Sequence, residues 1–461
     1  MINTLKLWKM RNLSIIGKNL IIKSLGVSSL LYAASMLPVS EEFCKRVQTA
    51  IFDFIWDSKP PKVRNQTMIT EIRDGGLKIL DFQSQMKALK LTWVKRLYNN
   101  NSAKWKLLFQ SYIPFINITD LFHTRCSNFP ENLQIPTFYK EIISAWNEVR
   151  KLCLPNTTSD IQKESLWFND FIKINQKSVF FSKWYRAGIL FVRDIINPDG
   201  SILGIDQLNR TFNLQVDIMQ YNGIISAIPR QWKRTLKSEL VHALNIKSPV
   251  LNLQGKLCPI VKAYCKDFYW SLISLIRKLP EKNIEKWNRE FDINVPDWEL
   301  IFTLSFKTTY EIKMQAFQFK ILHRYIVHNV LLFRMGINDS PGCLNCNLEE
   351  SIKHKFFECV YIQLFWKAFI EWWNVLDIQR IDLEYKDVIL GLYEIDLYSV
   401  NNCILTAKYY IHYCWCKKIK PIFNRFLIYL KYKIELEKII LYRNNQGNTF
   451  VNRWQSIYDR L

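Results

Sequence analysis

The sequence predicts a mainly α-helical, elongated, multi-domain protein. Three observations carry that expectation. Only 13 glycines and 15 prolines punctuate 461 residues, too few for the frequent tight turns of an all-β fold. Hydrophobic residues make up 49% and aromatics 14%, which excludes a wholly disordered chain. Apolar positions recur at helical spacing over long stretches. A chain of this length is several times the minimum for a self-supporting core, so more than one domain is expected.

Residues 1–100 read as a basic helical module. Ile15, Ile16, Leu20, Ile22, Leu30 and Leu31 recur at mostly helical spacing, Ser14 is placed to cap the helix, and Pro38 ends it. A second helix is expected over Glu41–Trp56, where Phe43, Val47, Ile51, Phe54 and Ile55 share a face. Pro60-Pro61 breaks the chain, Asp74-Gly75-Gly76-Leu77 forms a turn, and a further helix runs from Phe82 to Tyr98. Residues 101–296, repeatedly interrupted by proline, read as a helical connector with a turn at Asn197-Pro198-Asp199-Gly200. Residues 297–375 form a compact unit, and 376–461 a last basic helical segment. Lys408, Lys417, Lys418, Lys420, Arg425, Lys431 and Lys433 lie between Asn401 and Ile434 with no acidic residue among them.

The formal charge is +22, from 63 Lys plus Arg against 41 Asp plus Glu. A polyanion is the partner this implies, nucleic acid ahead of a membrane surface. An AT-rich gene would give the same abundance of Ile, Asn, Lys, Phe and Tyr without selection for binding. The uncharged run Ser24–Ser40 holds five serines and stops at Pro38, so no membrane-spanning segment and no membrane partner are expected. Lys18 and Lys23 interrupt what would be the apolar part of a signal peptide. Eleven cysteines without an export signal suit a reducing compartment, as thiols or metal ligands.

Three of those cysteines and one histidine have ligand spacing. Cys343 and Cys346 lie three apart on a knuckle opened by Pro341-Gly342, and His354 and Cys359 follow about one helical turn apart. Two such pairs supply the two edges of a zinc tetrahedron. All four positions are filled by protein, which predicts a structural zinc rather than a catalytic one. His323 and His328 have no spaced cysteine partners and read as non-ligands. Cys414 and Cys416, one residue apart, have the wrong spacing. Phe357, Tyr361, Phe365 and Phe369 recur every four residues, and read as core ahead of base-stacking surface. Lys313, Lys320 and Arg324 recur at seven and four, either as a phosphate-contacting face or as a plain solvated one. The sequence has no adjacent Asp pair, no Walker loop, no HExxH and no GxSxG, so no catalytic residue is assigned and the isolated chain is not expected to be an enzyme.

Leu5-x-x-Trp8-x-x-Arg11-x-Leu13-Ser14-x-x-Gly17-Lys18, Ile22-Lys23-Ser24-Leu25, Phe52-x-x-Ile55-Trp56, Gly75-Gly76-Leu77 and Ala88-Leu89-x-x-x-Trp93 resemble the thumb of LINE-type (non-LTR) retrotransposon reverse transcriptases. Trp184-x-x-x-Gly188-Ile189 and Ala227-Ile228-Pro229-x-x-Trp232 are similar to the connector of the LINE-1 and TX1-like branch. Phe319-Lys320-Ile321-Leu322-His323-Arg324 and the Cys343/Cys346/His354/Cys359 set resemble its zinc-binding C-terminal part. The resemblance implies a C-terminal portion of the second open reading frame: a thumb over 1–100, a connector over 101–296 and a zinc-binding domain over 297–375. The endonuclease and the polymerase palm with its aspartates would lie upstream. It implies binding to RNA and DNA, as an RNA–DNA hybrid and the element RNA, with Lys6, Lys9, Arg11, Lys18 and Lys23 along one wall of the groove. The upstream endonuclease and palm portion is the implied protein partner, and the cytoplasm and nucleus the implied locations. An inactive relic, or a module reused for protein interaction, is the alternative expectation.

Overall fold

The Ser14 hydroxyl accepts the Gly17 N–H at 3.1 Å and opens a helix over Ile15–Ile21. A π-helical segment, Ile22–Val27, carries the chain into a second helix, Ser28–Met36. Leu37 is extended, as a residue before proline must be, and the run stops there. Joined end to end, Ile15–Met36 is long and apolar enough to cross a membrane by length and composition, at a mean hydropathy of 1.2. The sequence reading, which broke the run at Lys23, expected no such segment. The correction arises because one helical run passes through both lysines.

The helix Glu41–Trp56 forms as expected, with Glu41 and Glu42 at its positive N-terminal end. Phe82–Leu97 follows, capped by Asp81, whose carboxylate accepts the Ser84 N–H at 2.8 Å. In the expected turn, Gly75 takes φ +82, a backbone that glycine adopts at no steric cost. Leu77 and Ile79 both donate their N–H to the Met68 carbonyl.

The computed structural model describes residues 1–98, 103–125, 134–238, 249–253, 255–293, 295, 297–393 and 398–461. The chain divides into two compact units. The first comprises 1–26, 50–80 and 277–461, and the second 27–49 and 81–276.

The core of the first unit is aromatic. Trp287, Phe356, Phe369, Trp373, Phe426 and Trp454 are all buried in one cluster. Each such ring removes about 150–250 Å² from water, worth roughly 4–6 kcal/mol apiece before entropic costs. Phe365 and Phe369 lie in this core, with Phe357 and Tyr361 packed at its edge, so the aromatic stripe packs the interior.

Among its described residues the second unit is helical with two short antiparallel hairpins, an addition to the helical connector expected there. Lys173–Ile174 pairs with Lys177–Ser178 across Asn175 and Gln176, both at positive φ, the backbone of a type I′ turn. Val250–Leu253 pairs with Lys256–Pro259. The Asn197–Gly200 turn forms, with the Gly200 N–H donated to the Asn197 carbonyl and Gly200 at φ +77. Within this unit Glu164 is buried between two guanidinium groups, Arg125 at 2.6 Å and Arg150 at 3.2 Å. Arg125 also donates to the Arg150 carbonyl, which ties three chain segments together.

Candidate functional site

The knuckle is built by local turn chemistry. Gly342 and Glu349 pair as an antiparallel bridge, Cys343 donates its N–H to the Leu348 carbonyl at 2.7 Å, and Asn347 sits at φ +63 to close the loop. The Asn345 N–H points at the Cys343 sulfur, 3.5 Å away. On the other side, residues His354–Glu358 form a π-turn. Its wider ring joins the Cys359 N–H to the His354 carbonyl at 3.1 Å, bringing two residues five apart onto one side.

The four ligand atoms all lie within 4.8 Å of one another. Cys343 Sγ and Cys346 Sγ are each 3.9 Å from Cys359 Sγ, and Cys346 Sγ is 3.1 Å from His354 Nε2. Zinc–sulfur bonds of about 2.3 Å give a tetrahedron with an edge of about 3.8 Å, so these distances fit a tetrahedral ion. Burial pushes the Cys343 thiol up to about 12, raises Cys359 and lowers His354. A neutral imidazole is already the ligating form, whereas the buried thiols need a cation to ionise. Among the described residues this is the one group of three or more His, Cys, Asp or Glu side chains placed to hold a metal ion.

No spacing or motif marks the residues packed beside the cluster. Glu350 is buried, accepts the Trp415 indole N–H at 2.7 Å, and has its pKa raised by burial. The Lys355 ammonium lies 3.4 Å from the Trp415 ring centroid and donates to the Val327 carbonyl, with burial lowering its pKa to about 7. Cys414 is buried, and Cys416 is exposed with its sulfur 3.8 Å from His412 Nε2.

The lysines and arginines singled out from the sequence have different surroundings. Lys18 is 5% exposed; its ammonium donates to the Ile55 carbonyl and pairs with Asp57 at 2.6 Å. Lys6 and Lys9 are exposed on the helix Ile2–Lys9, where Lys9 donates to the Ser58 hydroxyl. Arg11 stacks on Trp8 at 4.6 Å. Lys23 has its pKa lowered by desolvation and then by Lys78. Arg324 pairs with Glu290 at 2.6 Å and lies 4.0 Å from the Trp287 ring centroid.

Lys313 and Lys320 share a cleft of about 660 Å³ in the first unit with Lys18, Lys59 and Lys62. Among the described residues Asp57 is the one acidic residue lining it, and its partner is Lys18. Lys59, Lys62, Lys313 and Lys320 make no salt bridge among the described residues. Lys320 has its pKa lowered by burial, with Lys18 adding to the effect. Lys59 and Lys62 were missed because they flank Pro60-Pro61 in a segment read as a chain break. The alternation of lysine with proline straight after Trp56 was the available signal.

Residues 284–366 match a family described as zinc-binding in reverse transcriptase, a span that includes all four cluster residues, Lys313 and Lys320. A stretch of 168 residues, 35% of this chain, is 27% identical to the Transposon TX1 uncharacterized 149 kDa protein of Xenopus laevis. The match covers 13% of that relative's length.

Proposed function

We propose, from the chain's similarity to the C-terminal region of a non-LTR retrotransposon reverse transcriptase, that it is a zinc-stabilised nucleic-acid-binding module of such a protein. Cys343, Cys346, His354 and Cys359 hold one zinc ion, which supplies folding free energy to the surrounding residues. The observation that carries the binding reading is the convergence of Lys59, Lys62, Lys313 and Lys320, all without acidic partners, on one concave surface. Four uncompensated ammonium groups in a cleft focus a field that attracts phosphate. Lys18 anchors this wall through Asp57 and Ile55 rather than meeting a phosphate directly.

The intact parent protein, in this reading, nicks DNA and copies RNA at the nick, and the present chain contributes grip rather than chemistry. Polymerisation needs two metal ions clamped by carboxylates, a role given to none of its residues. Fluorescence anisotropy with labelled oligonucleotides tests the binding role. Reversing Lys313 and Lys320 to Glu weakens binding to every sequence, while reversing the control pair Lys106 and Lys173 does not. Equal losses in both pairs would reduce the charge to a compositional accident.

A further inference from the structure

The same cleft offers more than charge. Ring systems stand between its lysines: Trp56 and Tyr325 meet edge to face at 6.2 Å, and Tyr409 meets Phe317 edge to face at 5.3 Å. His412 stacks on Phe317 at an inclination of 28°, with centroids 5.3 Å apart. Two buried donors on this wall, the Trp56 indole N–H and the Tyr325 hydroxyl, have no hydrogen-bond partner among the described residues. Tyr325 is brought here by the end of the helix Ile312–Leu322, where Arg324 turns left-handed and the Tyr325 N–H reaches back to the Lys320 carbonyl.

A duplex would use this chemistry poorly. Its phosphates would meet the lysines, but its bases are stacked and paired, with their faces closed to side-chain rings. Basic side chains interleaved with rings along one cleft match the requirements of an unpaired strand, whose bases are free to stack.

We propose that this cleft binds a single-stranded polynucleotide segment, with Lys59, Lys62, Lys313 and Lys320 on phosphates and the rings of Trp56, Tyr325 and Tyr409 against bases. The proposal rests on the nucleic-acid reading above and narrows it to one strand form. Stacking and phosphate contact are common to RNA and DNA, so both chemistries are expected to enter.

The test is a salt-series anisotropy titration of the full chain with one short sequence in three forms: RNA, DNA and blunt RNA–DNA hybrid. Both single strands are expected to bind at least about tenfold tighter than the hybrid. Changing Tyr325 and Tyr409 to Leu costs single-strand affinity about tenfold and leaves the salt slope alone. Changing Lys313 and Lys320 to Glu flattens the single-strand slope by about 1.4. Should the tyrosine variant lose its zinc or its fold, photo-crosslinking of thiouridine-labelled RNA to the unmodified protein replaces it. Adducts on the peptides carrying Tyr325 or Tyr409 support the cleft, and adducts confined to other peptides overturn it. A hybrid bound as tightly as either strand overturns the single-strand proposal while the binding function stands. Failure to bind any of the three forms overturns the function itself.

Discussion

His323 Nε2 lies 2.8 Å from the carbonyl oxygen of Gly75, across 248 positions of sequence. A carbonyl only accepts, so Nε2 carries the proton and donates it. Nδ1 is buried with no partner, and the ring sits against Phe302 and Phe319. The imidazole therefore bolts the Gly75-Gly76 turn to the C-terminal end of the helix Ile312–Leu322, the helix that carries Lys313 and Lys320.

This bolt makes stability depend on pH. Burial lowers the His323 pKa from 6.5 to about 4. Between those values the unfolded chain binds the proton and the folded chain does not, so stability is retained above pH 6.5 and lost as pH falls toward 4. The full contribution is about 3 kcal/mol. Thermal melts of the wild type and His323→Gln, which keeps a donor but does not titrate, should show the wild type losing more between pH 7 and 5. Parallel curves would refute the assignment.

The same turn tolerates no side chain at Gly76. A Cβ there would lie 2.3 Å from both the carbonyl and the hydroxyl oxygen of Thr70, and 2.5 Å from the Thr67 carbonyl. Gly76→Ala should cost more than about 2 kcal/mol in denaturant titrations. Gly336→Ala serves as the control. That residue is left-handed, at φ +67, but has open space around it, so about 1 kcal/mol is expected. Similar losses at the two sites would contradict the packing described for the turn.

One zinc per chain is expected on elemental analysis. Cys346→Ser should release it and raise amide hydrogen exchange across residues 284–375, because the metal contributes folding free energy. Cys416→Ser, whose sulfur lies outside the four-atom cluster, should keep the ion. Wild-type protein free of metal after purification without chelator would remove the basis for the site.

In the second unit, Glu164 neutralises Arg125 and Arg150 away from water. Glu164→Gln leaves two buried guanidinium groups without their anion and should destabilise by about 3–5 kcal/mol. Limited proteolysis with mass mapping would show new cleavage between residues 81 and 276. An unchanged digestion pattern and melting temperature would mean that the network is dispensable.

Local chemistry was legible in the sequence. The cap at Ser14, the turns at Gly75 and Gly200, the helix Glu41–Trp56 and the Cys343/Cys346/His354/Cys359 cluster each depend on residues close together in the chain. Spacing fixes such features because a turn or a knuckle closes on its own backbone, whatever the rest of the chain does. The fate of each charge depended on distant residues. Lys18 and Arg324 looked like free cations until the fold brought Asp57 and Glu290 beside them. Lys59 and Lys62 carried no periodic signal, and they matter only because Lys313 and Lys320 face the same space. Whether a cation is paired or left open to a polyanion is a matter of a few ångströms between segments tens to hundreds of residues apart, a distance that tertiary packing alone sets.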